Sequence, residues 1–136
     1  MTAPDPLAEA SRLLSAGDPR GAAREAQRFV RLTPESFRAQ VILAQAYARL
    51  AVTAEPALRR MAEAAYRESA RLAPGELSAH LDLIIAGKAL GKSAELRSSY
   101  AGEWSHLPFA RECLLAVDAG GPLGEWAGAA GRFARQ

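Results

Sequence analysis

Apolar residues recur along the chain at three- and four-residue spacings, in helix-length segments that come in pairs. A proline closes each of three pairs, in Leu32-Thr33-Pro34, Leu72-Ala73-Pro74 and His106-Leu107-Pro108, the last with His in the leading Leu slot. The prolines lie 40 and 34 residues apart. This predicts a helix–turn–helix unit repeated over residues 3–34, 35–74 and 75–108. Gly17-Asp18-Pro19 and Gly91 fall at turns inside the first and third units, with Asp18 as N-cap and Pro19 as first helical residue. The stretch from Ala51 to Pro56 lengthens the middle unit by about one and a half helical turns or by a longer loop. Residues 109–135 read as a degenerate fourth pair. In it, Phe109 to Ala119 carries Leu114, Leu115 and Val117, and Gly120-Gly121-Pro122 breaks the pattern. Leu123, Trp126, Ala130 and Phe133 then form one apolar stripe. Gly124, Gly128 and Gly131 weaken that last helix by about 1 kcal/mol each relative to Ala, so it depends on packing. The expectation is one all-α domain, 1–136, of about eight helices.

The middle unit resembles a tetratricopeptide repeat. Leu43-Ala44 followed by Tyr47 matches that family's first-helix pattern, and Ala62, Tyr66, Ser69 and Pro74 match its second. Gln40 stands where the family has Trp. The first unit contributes Ala10, Leu13, Gly17-Asp18, Ala22, Ala26 and Pro34, and the third Leu83, Gly91, Tyr100 and Pro108. The third departs from the pattern at Gly87, usually aromatic, and at Leu96, usually Ala. The resemblance implies a right-handed α-solenoid, with Ala44 against Ala62 and Ala10 against Ala22 at close helix crossings. Tyr47 and Tyr66 would fill the space between hairpins, and each proline would open the next helix, where its missing N–H costs nothing.

The same resemblance implies a concave groove lined by first helices that binds peptides. Its inward positions are Arg38, Val41, Ile42, Gln45 and Arg49 on one helix, and Leu81, Asp82, Ile85 and Lys88 on the next. Val41, Ile42 and Leu81 occupy places where some members carry a carboxylate clamp, which disfavours that mode. What remains suits a peptide or amphipathic helix with apolar anchors and acidic flanks. Periodicity leaves a second reading open for Val41, Ile42 and Leu81, as core. Leu123, Trp126 and Phe133 either cap the last hairpin or dock into a groove of this chain or a neighbour's, which admits a homo-oligomer.

Composition narrows the function classes. The chain has 17 Lys and Arg against 15 Asp and Glu, a net charge of +2, with the signs interspersed rather than clustered. A nucleic-acid face needs clustered positive charge, so no nucleic acid is expected. About thirty of the 136 residues are alanine, which favours closely packed helices. The Arg-rich, Lys-poor usage resembles a bacterial sequence from a GC-rich genome. No apolar run long enough to span a bilayer is read, nor a signal peptide, which points to a cytoplasmic protein without membrane insertion.

Chemistry-bearing residues are sparse. His80 and His106 lie 26 residues apart without ligands at metal spacing, and read as surface or capping histidines. Cys113 sits in an apolar run and reads as a buried, inert thiol. Gly120-Gly121-Pro122-Leu123-Gly124 lacks the Lys-Ser/Thr of a phosphate loop. Glu63 with Arg67 and Glu25 with Arg28 read as solvated helix pairs. No metal, cofactor or catalytic set is expected. The leading expectation is a non-catalytic adaptor or scaffold that binds another protein. Two alternatives are a bacterial secretion chaperone holding a translocator, suggested by faint similarity over Pro108–Leu115, and a self-assembling repeat scaffold.

Overall fold

The computed structural model describes residues 6–53 and 55–119. Among these are seven α-helices, one short 3-10 turn and no strand. The chain divides into two compact units between Leu72 and Ala73, two residues before the expected junction of the second and third sequence repeats.

The first unit holds α1 (Pro6–Ser15), α2 (Pro19–Leu32), α3 (Phe37–Thr53) and α4 (Arg59–Leu72), with the 3-10 turn Pro56–Leu58 leading into α4. The middle repeat is long because α3 runs on to Thr53 and the 3-10 turn follows it. Each helix packs on its neighbour in sequence, and α1 also touches α3. Ala10, Ala22, Ala44 and Ala62, the small residues expected at the crossings, are all buried.

The α1–α2 turn follows from local chemistry. Gly17 has φ +86°, a left-handed conformation that costs glycine little. The Gly17 N–H donates to Leu14 O at 3.3 Å and the Asp18 N–H to Leu13 O at 2.9 Å, satisfying carbonyls at the end of α1. Asp18 then caps α2, its carboxylate accepting from the Gly21 N–H at 2.9 Å, with Pro19 in the first turn.

The second unit holds α5 (Leu77–Ala89), α6 (Ser93–Ala101) and α7 (Ala110–Asp118). Its first turn repeats the α1–α2 closure. Gly91 has φ +74°, its N–H donates to Lys88 O at 3.0 Å, and the Lys92 N–H donates to Gly87 O at 2.9 Å. Gly87 is buried against Leu96. A Cβ at Gly87 would lie 2.8 Å from Leu96 Cδ1. The two departures from the repeat pattern therefore complement each other: the small residue sits on the first helix and the large one on the second.

Two expectations change. Pro34, Pro74 and Pro108 do not open the following helices. Each stands second in a four-residue turn, in which Thr33 O accepts from Ser36 N–H (3.1 Å), Ala73 O from Glu76 N–H (3.0 Å) and Leu107 O from Ala110 N–H (3.1 Å). The fixed φ of proline suits that position. The third repeat's second helix stops at Ala101 instead of running toward Pro108. Gly102 ends it, and the turns that follow carry Trp104 and Leu107 into the core. The expected last helix, with Leu123, Trp126 and Phe133, lies outside the described residues.

Candidate functional site

The residues expected to meet a partner lie in two stripes, one on each unit. On α3, Arg38, Val41, Gln45 and Arg49 recur at three- and four-residue steps and so share a face. Arg38 and Arg49 are exposed, Val41 and Gln45 are half-buried, and Ile42 beside them is buried. On α5, Leu81, Asp82 and Ile85 are half-buried. Burial pushes the Asp82 carboxyl above the usual aspartate range.

Two basic residues of these stripes, Arg49 and Lys88, serve the fold. The Arg49 guanidinium donates to Leu14 O at 2.6 Å, at the C-terminal end of α1. The Lys88 ammonium donates to Ala116 O at 2.8 Å and Ala119 O at 2.6 Å, at the end of α7. Helix C-termini present unpaired carbonyls and a partial negative charge, so a cation placed there satisfies both.

His80 is neither at the surface nor a cap, contrary to the sequence reading. It is fully buried. One ring nitrogen, Nε2, lies 2.7 Å from Pro74 O and the other, Nδ1, 2.8 Å from the Tyr100 hydroxyl. Since a carbonyl only accepts, Nε2 carries the proton and Nδ1 accepts from the hydroxyl. Tyr100, Trp104 and Phe109 surround the imidazole with ring centroids 5.4, 4.8 and 5.3 Å away. Burial lowers its pKa, with the Pro74 hydrogen bond opposing. This imidazole holds three segments of the second unit together.

Cys113 is fully buried, and burial, with the Glu112 charge adding to it, pushes its thiol up to about 12. A thiol held that high is a poor nucleophile at neutral pH. Glu63 corrects the expectation of a solvated pair. It is only 3% exposed, and its carboxylate accepts from Arg67 Nε at 3.1 Å and Nη2 at 2.9 Å. Glu25 and Arg28 form the expected open pair at 3.5 Å. Among the described residues no cluster of three or more His, Cys, Asp or Glu side chains could hold a metal ion. None of the described helices is long and apolar enough to cross a membrane.

The structure also shows a feature the sequence reading missed. An open trough of about 400 Å³ runs between α2 and α4, with α3 as its floor. Gln27, Val30 and Arg31 form one wall, Gln40, Leu43 and Tyr47 the floor, and Met61, Ala64, Ala65 and Glu68 the other wall. The floor residues lie on the face of α3 opposite Val41 and Gln45. One sequence signal pointed here: a glutamine at position 40, where the repeat pattern has the far larger Trp. Compared with known proteins, the chain matches no family model, no curated protein and no solved structure.

Proposed function

We propose that this chain is a non-catalytic adaptor of the cytoplasm, built as a tetratricopeptide-like right-handed solenoid of about eight helices, which binds another protein through its first-helix faces. The observation that carries the reading is the state of those faces. Val41 on α3 and Leu81 and Ile85 on α5 are half-buried, although large apolar side chains elsewhere on the same helices are sealed in the core. Half-covered apolar positions at helical spacing are what a peptide or amphipathic helix uses for its anchors. The repeated turns support the repeat architecture: the Gly17 and Gly91 closures are alike, and so are the three proline turns. Arg38, exposed at the start of the α3 stripe, would meet an acidic flank, and Asp82 and Gln45 are the polar contacts.

Photo-crosslinking tests this. A benzophenone side chain placed at Val41 or at Ile85 in the native organism should trap one and the same partner, and Val41→Glu with Ile85→Glu should abolish its co-purification. The reading is overturned if the double variant, with its helical circular dichroism intact, keeps every partner of the parent.

A further inference from the structure

The trough in the first unit is a second surface, independent of the first-helix faces. Its interior is apolar, contributed by Val30, Leu43, Met61 and the ring of Tyr47. Met61, on its rim, is 44% exposed and so within reach of an occupant.

Two polar side chains lie on the floor of this apolar trough. Gln40 is 7% exposed and Tyr47 is 8% exposed, yet neither side chain has a hydrogen-bond partner among the described residues. Neither polar group is sealed from solvent, so each can exchange water for a group on an occupant of the trough. On the rim, Arg31 is exposed and no described residue pairs with it. The trough's one carboxylate, Glu68, is engaged by Arg71 through Nε at 2.9 Å and again through Nη2. The trough thus offers an amide and a phenol hydroxyl, each able to donate or accept, and a guanidinium around apolar ground, with no uncommitted acid.

We propose that this trough seats an acidic amphipathic helix from a partner protein. Its apolar side chains lie against Val30, Leu43 and Met61, and its carboxylates face Arg31, the Gln40 amide and the Tyr47 hydroxyl. The shape fits this occupant. Gln40 to Tyr47 on the floor and Met61 to Glu68 on the wall each span seven residues, about 10 Å or two turns, so a helix laid between α2 and α4 meets two successive anchor positions. The charge fits it as well: Arg31 is the trough's cation, and its carboxylate, Glu68, is already engaged by Arg71. The proposal does not rest on the first-helix faces: Val41→Glu leaves this trough intact.

The test uses the full chain labelled with 13C at its methionine methyls, Met61 reporting from the rim. The probe is an alanine-based helical peptide of about four turns, with leucines one and two turns apart and glutamates beside them; its counterpart carries lysines instead. The glutamate peptide should shift the Met61 resonance with a Kd of roughly 10–100 µM, and the lysine peptide should bind about tenfold more weakly or worse. Ala64→Glu, on the exposed wall, should abolish binding. Arg31→Glu should weaken the glutamate peptide about tenfold, and Tyr47→Phe about threefold to tenfold. Val41→Glu should bind as the parent does. The proposal is overturned if Met61 does not move at about 1 mM glutamate peptide, or if the two peptides bind alike. A parent chain that sediments as a dimer, and as a monomer after Ala64→Glu, also overturns it, because the occupant is then a second copy.

Discussion

Adding one methyl group at Gly87 sets two effects of similar size against each other. In a helix interior Ala is favoured over Gly by about 1 kcal/mol. The methyl would, however, lie 2.8, 3.2 and 3.3 Å from Leu96 Cδ1, Cγ and Cδ2. Because the branch carbon is among the atoms struck, rotating one terminal methyl of Leu96 does not relieve the contact. Leu96 is fully buried, so it has no free space to move into. Overpacking of this kind costs about 1–3 kcal/mol, and Gly87→Ala should therefore destabilise the chain by a net ~0–2 kcal/mol despite its better propensity. Leu96→Ala alone should cost about 2–5 kcal/mol. In that background the clash is gone, so adding Gly87→Ala should restore about 1 kcal/mol, a coupling of roughly 1–3 kcal/mol across the cycle. Urea unfolding followed by helical ellipticity reads this directly. With a slope near 2 kcal/mol/M, each kcal/mol moves the midpoint by about 0.5 M. If Gly87→Ala raises the midpoint of the parent chain, the tight Gly87–Leu96 contact is not present and the argument fails.

Three further outcomes follow from the contacts described. Asp18→Ala removes the acceptor of the Gly21 N–H and should lower stability by about 0.5–2 kcal/mol in the same urea assay, with Asp18→Asn recovering most of it. His80 has its folded-state pKa lowered from the ordinary 6.5, so the unfolded chain takes up that proton first; the His80 contribution is complete above pH 6.5 and is lost as pH falls from there through the folded-state value. Urea midpoints against pH should show this slope in the parent and lose it in His80→Gln. Cys113 should react with a thiol reagent only as fast as the chain opens, and at the ordinary thiol rate in denaturant; rapid labelling of the native chain at pH 8 contradicts its burial.

The helices and turns were legible in the sequence where chemistry is local. Gly17, Asp18, Pro19 and Gly91 do what their types predict, because a left-handed backbone and a cap depend only on residues a few positions away. The prolines marked the right junctions but the wrong position within them, since φ near −65° suits a turn's second place as well as a helix's first residue. His80 was misread because nothing in its own neighbourhood announces the aromatic rings that α6 and the following turns bring to it. Arg49 and Lys88 looked like partner contacts for a related reason. The carbonyls they satisfy belong to helix ends 35, 28 and 31 residues away, and backbone carbonyls leave no signature in a sequence. The trough was hidden by the expectation that Tyr47 fills the space between hairpins. Leu43 and Tyr47 do face neighbouring helices, but how far the space between α2 and α4 is filled is settled by packing.

Within each unit, the helices that pack closely are at most two elements apart along the chain. Few residues therefore need to be held in a loop before a contact forms, and loop closure is the slow, entropically costly part of assembly. Chain emerging from a ribosome can bury α1 against α2 before α3 has been made, and α4 completes a set whose members have all arrived. The nascent protein thus exposes little unshielded apolar surface at any moment, which lowers its demand for assistance from chaperones.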